Sequence, residues 1–107
     1  MTQQTKQQLE TIVAEIVTKY QPEKIILFGS AARGDMTSNS DIDLLIIKDG
    51  VGQTPPTDRR RDVARLYRHT MASDILVYTP YEIKKRLYLG DPFIKAVFSE
   101  GKVLYGA

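Results

Sequence analysis

Three aspartates in this chain stand where acids are unexpected. Asp41 and Asp43 open an apolar run, Leu44-Leu45-Ile46-Ile47, and Asp74 sits early in another, residues 73–78. On a strand, residues i and i+2 point to one face, so Asp41 and Asp43 project together. Two carboxylates about 5 Å apart repel by roughly 3 kcal/mol at an effective dielectric of about 20. A fold keeps such a pair when something offsets the repulsion. A divalent cation does so, because hard ions such as magnesium favour carboxylate oxygen. If strand 73–78 neighbours strand 41–47, Asp74 completes a cluster able to hold two ions; read by itself, Asp74 is equally a surface acid at a strand end.

Upstream, Gly29-Ser30 follows a further apolar run, Ile25-Ile26-Leu27-Phe28, and ten residues separate Ser30 from Asp41. Gly29, without a side chain, lets backbone approach a phosphate closely. Ser30 adds a hydroxyl and an N–H near the start of a short helical turn, where anions are favoured. Arg33 is placed to reach a phosphate, or to stand solvated. Either signal alone is weak, since turns favour these residue types; together, each beside its strand, they mark a site. Two bound ions activate an attacking oxygen and stabilise a leaving one in displacement at phosphorus. The residues therefore suit a nucleoside triphosphate with its metal ions, and phosphoryl or nucleotidyl transfer rests mainly on positioning and electrostatics.

The elements that must position these groups can be read along the chain. Leu9, Ile12, Val13, Ile16, Val17 and Tyr20 repeat at helical spacing and predict a helix over residues 5–20, with Thr5 and Gln8 as a capping box and Pro22 as its stop. A buried strand follows at 24–28. Residues 31–33 make a short helix closed by Gly34, and 35–40 read as a polar loop. Strand 41–47 is apolar on both faces beyond its acids, which places it centrally in a sheet. A flexible loop over 49–56 leads to a helix starting at Thr57 and Asp58 and running through 59–69, with Val63, Leu66 and Tyr67 inward. Strand 73–78 comes next. Thr79-Pro80-Tyr81-Glu82 then combines an N-cap, a first-position proline and a third-position glutamate, and Asp91-Pro92 opens another short helix ending at Gly101. Lys102 to Tyr105 adds an edge strand. The order implies a mixed α/β (α+β) domain spanning 1–107, a small mixed β-sheet flanked by helices.

Composition narrows the function classes. The 107 residues are 42% apolar and 26% charged, with no cysteine and a formal charge of +2. These values describe a globular domain with no thiolate metal site, so ligands must be oxygen or nitrogen. No apolar stretch approaches the roughly 20 residues of a membrane span, and the opening Met-Thr-Gln-Gln-Thr-Lys lacks a signal-peptide core, so a cytoplasmic setting is expected. The small positive charge makes no strong case for nucleic acid. Arg59-Arg60-Arg61 with Arg65 and Arg68 reads as a solvated helix face, a contact for an acidic partner, or a nucleic-acid patch. His69, near a helix C-terminus, is read as structural, and Tyr81, Tyr88 and Tyr105 as packing residues.

The pattern Gly29-Ser30, ten residues, Asp41-x-Asp43, and a later strand aspartate, Asp74, resembles the nucleotidyltransferase superfamily that includes DNA polymerase beta. The form Gly-Ser-x-Ala-Arg-Gly and the ending Gly-Lys-Val-Leu-Tyr resemble its minimal nucleotidyltransferase branch, whose members are often antitoxins paired with HEPN-domain toxins. The resemblance covers nearly the whole chain. It implies the nucleotidyltransferase fold, ATP as substrate and two magnesium ions held by Asp41, Asp43 and Asp74. By the same resemblance Asp74 also helps deprotonate the acceptor hydroxyl, while Gly29, Ser30 and Arg33 bind the nucleotide. It further implies AMP transfer to a tyrosine of a HEPN-type toxin encoded nearby; a homo- or hetero-oligomer is compatible with the sequence, which does not fix the oligomeric state. One departure stands out: many antitoxin members carry arginine where this chain has Ala31, which removes a basic phosphate contact. Two other functions fit the same residues. One is nucleotidyl transfer to a small molecule such as an aminoglycoside, although such enzymes usually carry an additional acceptor domain. The other is a non-catalytic antitoxin that neutralises its partner by binding, which would need no acid cluster.

Overall fold

Strands that are apolar on both faces need cover on both faces, and that requirement sets the architecture. The computed structural model describes residues 1–34 and 41–106. Strands β1 (Lys24–Phe28), β2 (Ile42–Ile47), β3 (Ser73–Tyr78) and β4 (Lys102–Tyr105) form a mixed sheet in the order β3-β2-β1-β4. β1 runs antiparallel to both β2 and β4, whereas β2 and β3 are parallel. The parallel pair requires a crossover, and α3 (Pro56–Ala64) lies within it. The remaining helices are α1 (Gln3–Tyr20), α2 (Gly29–Arg33), α4 (Pro80–Tyr88) and α5 (Pro92–Glu100).

Alternate residues of β1, β2 and β3 enter different cores. Ile25, Leu27, Ile42, Leu44, Ile46, Ile75 and Val77 pack with Leu9, Ile12 and Ile16 of α1 and Val63 of α3. Ile26, Leu45 and Ile47 turn the other way, toward Ile83 of α4 and Ile94 and Val97 of α5, with Phe28, Leu76 and Tyr78 packed at the margin. The mixed sheet between helical layers is the fold that the sequence predicts, and β1, β3, β4, α4 and α5 fall where expected, whereas α3 begins at Pro56 rather than Thr57. Thr79 and Glu82 exchange the two hydrogen bonds of a capping box, at 3.1 and 2.8 Å. Asp91 accepts from the amides of Phe93 and Ile94 at the start of α5.

Three local expectations are corrected. α1 begins at Gln3 rather than residue 5, because the Thr2 hydroxyl accepts the Thr5 amide at 3.1 Å and so caps the helix earlier. α3 ends at Ala64, not residue 69. There the imidazole Nε2–H of His69 donates to the Ala64 carbonyl at 2.6 Å, while its ring stacks on Tyr67; the chain folds back to satisfy the helix end. Tyr81, Tyr88 and Tyr105 are 72%, 88% and 40% exposed, so they are not packing residues. The loop expected at 35–40 lies outside the described residues.

Arg59 is a further correction, since it belongs to no solvated face. It is 2% exposed and shares its side of α3 with Val63, one turn on. Its guanidinium donates to both carboxylate oxygens of Glu82, at 2.7 and 3.1 Å, and to the carbonyls of Thr54 and Val77. The clamp ties the loop before α3 to edge strand β3 and to the start of α4. The hydrogen bond from Arg59, aided by the Thr79 amide, holds the Glu82 carboxyl below the ordinary carboxylate range against its partial burial.

Candidate active site

The sheet register brings the acids together. Phe28, the last residue of β1, lies opposite Asp43 of β2, and Asp43 lies opposite Asp74 of β3. Asp43 and Asp74 share strand parity with Leu45 and Leu76, so they stand at one end of the sheet face that α4 and α5 cover. Asp41 is exposed and immediately precedes β2, which begins at Ile42, one residue later than the start at 41 expected from sequence. Asp43 sits in the middle of this acidic row and is partly buried, whereas Asp74 is exposed.

Electrostatics follow from that placement. The Asp43 carboxyl is pushed above the ordinary aspartate range, first by burial and then by the negative charges of Asp74 and Asp41. Arg33, exposed at the end of α2, acts on Asp43 in the opposite sense. The fold thus maintains like charges beside one another in a half-dry position.

Gly29 completes the geometry. It begins α2 directly after Phe28, with a φ of +74° that L side chains rarely adopt. A Cβ built there would overlap Oδ2 of Asp43 and approach its Cγ to 3.2 Å. The missing side chain is therefore the space that the Asp43 carboxylate occupies. Ser30 follows, partly buried, and Ala31 and Ala32 are buried in the α1 core. Position 31 contributes packing here, which is why an alanine suits it.

Two residues near the acids escaped the sequence reading. Arg60 of α3 reaches Asp74, with Nη2 3.1 Å from Oδ1. Phe28 stacks edge-on against Phe93 of α5, with ring centroids 5.6 Å apart and planes at 85°, forming an aromatic wall beside Asp43. Spacing from the inward Val63 could have separated Arg59 from its neighbours; nothing in the sequence singles out Arg60 or pairs Phe28 with Phe93.

The polymerase beta nucleotidyltransferase family matches residues 10–107, nearly the full length and including every residue of this acidic row. The chain belongs to that family. Two candidate protein adenylyltransferases of Methanocaldococcus jannaschii are similar to this chain. One is 51% identical over 43 residues, covering 38% of this chain and 43% of its own; the other is 33% identical over 72 residues, covering 66% and 69%. The chain therefore spans less than half the length of the first. Among solved structures, a candidate nucleotidyltransferase from Sulfolobus solfataricus superposes with a TM-score of 0.68 at 28% identity, covering 94% of this chain and 78% of that one. A chain of a toxin–antitoxin crystallised with AMP-PNP superposes at 0.61 with 23% identity, over 92% and 73%, and shares the fold.

For a nucleotidyltransferase the donor set at this site is consistent with hard divalent ions. The potential ligands are carboxylate oxygens, and Gly29 leaves the Asp43 carboxylate its room. Among the described residues no three acids or histidines close into a ready-made cage. Such closure is unnecessary for magnesium, which usually takes one or two carboxylates and completes its shell with water and substrate phosphate. No helix of the structure is long and apolar enough to cross a membrane among the described residues.

Proposed function

We propose that this nucleotidyltransferase transfers AMP from ATP to a hydroxyl of a protein partner, a tyrosine of a HEPN-type toxin encoded beside it, and so acts as an antitoxin. The observation that carries the reading is the register Phe28–Asp43–Asp74, which sets two acids side by side next to the Gly29 turn. The names of the two archaeal relatives support transfer of AMP to protein, and the AMP-PNP-bound toxin–antitoxin neighbour supports both the nucleotide and the kind of partner.

Asp41, Asp43 and Asp74 would hold two magnesium ions, which neutralise triphosphate charge and favour the ionised acceptor oxygen. Gly29 seats the Asp43 carboxylate against the turn that the triphosphate binds, and the Ser30 hydroxyl and Arg33 guanidinium bind the triphosphate oxygens. Asp74, on the edge strand and exposed, faces the side from which an acceptor arrives, and it takes the acceptor proton. The acceptor oxygen forms a bond to the α-phosphorus while the bridging bond from that phosphorus to the β-phosphate oxygen breaks. Pyrophosphate leaves with the electron pair, and the proton passes from Asp74 to water. The Phe28–Phe93 ring pair lines one flank of the row.

The test is incubation of the protein with α-labelled ATP, magnesium and the product of the adjacent gene. Label on a tyrosine of that partner supports the reading. Label on an aminoglycoside but not on the partner would move the acceptor to small molecules. Neutralisation of the partner without any label would make the chain a binding antitoxin.

A further inference from the structure

Arg60 has no place in the reading above, although it contacts the third acid. Its guanidinium lies 3.1 Å from Asp74, and both side chains are about half exposed, at 46% and 54%. On the other side of Asp74, across the parallel register, stands Asp43. Asp74 therefore sits between a like charge and a cation. Arg61, the next residue, pairs instead with Asp58 at 3.7 Å, within its own helix, and Arg59 is committed to Glu82.

We propose that Arg60 is the resident counter-ion of Asp74, a positioning residue that holds the third carboxylate in the metal-free chain and surrenders it when a divalent ion binds. The inference rests on the metal site proposed above. Asp74 beside Asp43 needs a positive neighbour in either state, and one carboxylate cannot give its full lone-pair set to a guanidinium and to a hard ion together. Arg60 engages Oδ1 alone, so the two cations compete for the charge of one carboxylate. Arg60 comes from α3, in the crossover between β2 and β3, so it can reach past the edge strand without belonging to the sheet.

The experiment is titration of the full chain with Mn2+ alone, in 0.15 M salt, where charges more than about 8 Å away are largely screened. Arg60→Gln should tighten Mn2+ binding about three- to five-fold, the scale of an exposed ion pair. Arg61→Gln, one residue along and paired with Asp58 instead, should leave it within a factor of about two. Arg60→Lys, which keeps the competing charge, should bind like the wild type. The decisive arm is the double variant: in an Asp74→Asn background, Arg60→Gln should bring no gain, because the competition acts through that carboxylate. Unchanged binding in Arg60→Gln, or a gain that persists without Asp74, overturns the proposal while leaving the metal site standing. If Asp43→Asn binds Mn2+ as tightly as wild type, the metal site itself fails and this inference falls with it.

Discussion

Replacing Gly29 with alanine tests whether that glycine exists for Asp43 or merely for the turn. Two costs are expected. The backbone sits at φ +74°, which penalises an L residue by roughly 1–2 kcal/mol, offset by up to about 1 kcal/mol from lower entropy in the unfolded chain. The new methyl would also overlap Oδ2 of Asp43 and crowd its Cγ at 3.2 Å, an overpacking worth about 1–3 kcal/mol. Gly34 supplies the control, since its φ is +82° but nothing among the described residues lies within 4 Å of its Cβ position. Gly34→Ala should cost about 1 kcal/mol, a fall in Tm of roughly 4–8 °C, and Gly29→Ala at least twice that. Differential scanning calorimetry on both variants, and on each in an Asp43→Ala background, completes the cycle. Removing the Asp43 carboxylate should reduce the Gly29→Ala penalty to that of Gly34→Ala. Equal penalties for the two glycines, or a Gly29→Ala penalty unmoved by Asp43→Ala, would refute the reasoning.

Other perturbations have defined signs. Asp43 binds its proton more tightly folded than unfolded, so its ionised form opposes folding at neutral pH and the opposition vanishes as pH falls through its folded value. Asp43→Asn should therefore raise the Tm of the metal-free chain at neutral pH, with the gain disappearing below about pH 4, measured in a chelating buffer. Arg59→Ala should cost about 3 kcal/mol in urea unfolding, since it strands Glu82 and buried carbonyls, and Arg59→Lys should recover little because one ammonium cannot reproduce the fork. Glu82 has the opposite linkage: its stabilisation is present above the unfolded value of about 4.3 and is lost as pH falls through its lower folded value. Glu82→Gln should thus flatten the acid limb of a Tm–pH curve.

Much of this architecture was legible because periodicity and punctuation agreed. The α4 start needs its Thr-Pro-x-Glu order, and the double-faced run in β2 could only be central. The acids were legible because carboxylates on apolar strands need a reason, and the register places Asp43 beside Asp74. What escaped were contacts fixed by tertiary approach. Arg59, Arg60 and Arg61 are chemically identical in sequence, yet one is buried, one meets Asp74 and one pairs within its helix. Helix propensity alone runs α3 past Ala64, but the His69 contact with the Ala64 carbonyl accompanies its earlier end. Tyr81 and Tyr88 look like core residues by type, and only their outward face on α4 shows otherwise.

The claim on which the rest depends is that Asp43, between Asp41 and Asp74, is the centre of nucleotidyl transfer. It is tested most directly by comparing wild type and Asp43→Asn for α-labelled AMP transfer from ATP to the partner, in magnesium. The account predicts that labelling disappears in Asp43→Asn while the variant stays folded, with a Tm no lower than wild type. Undiminished labelling by a folded Asp43→Asn chain would contradict it.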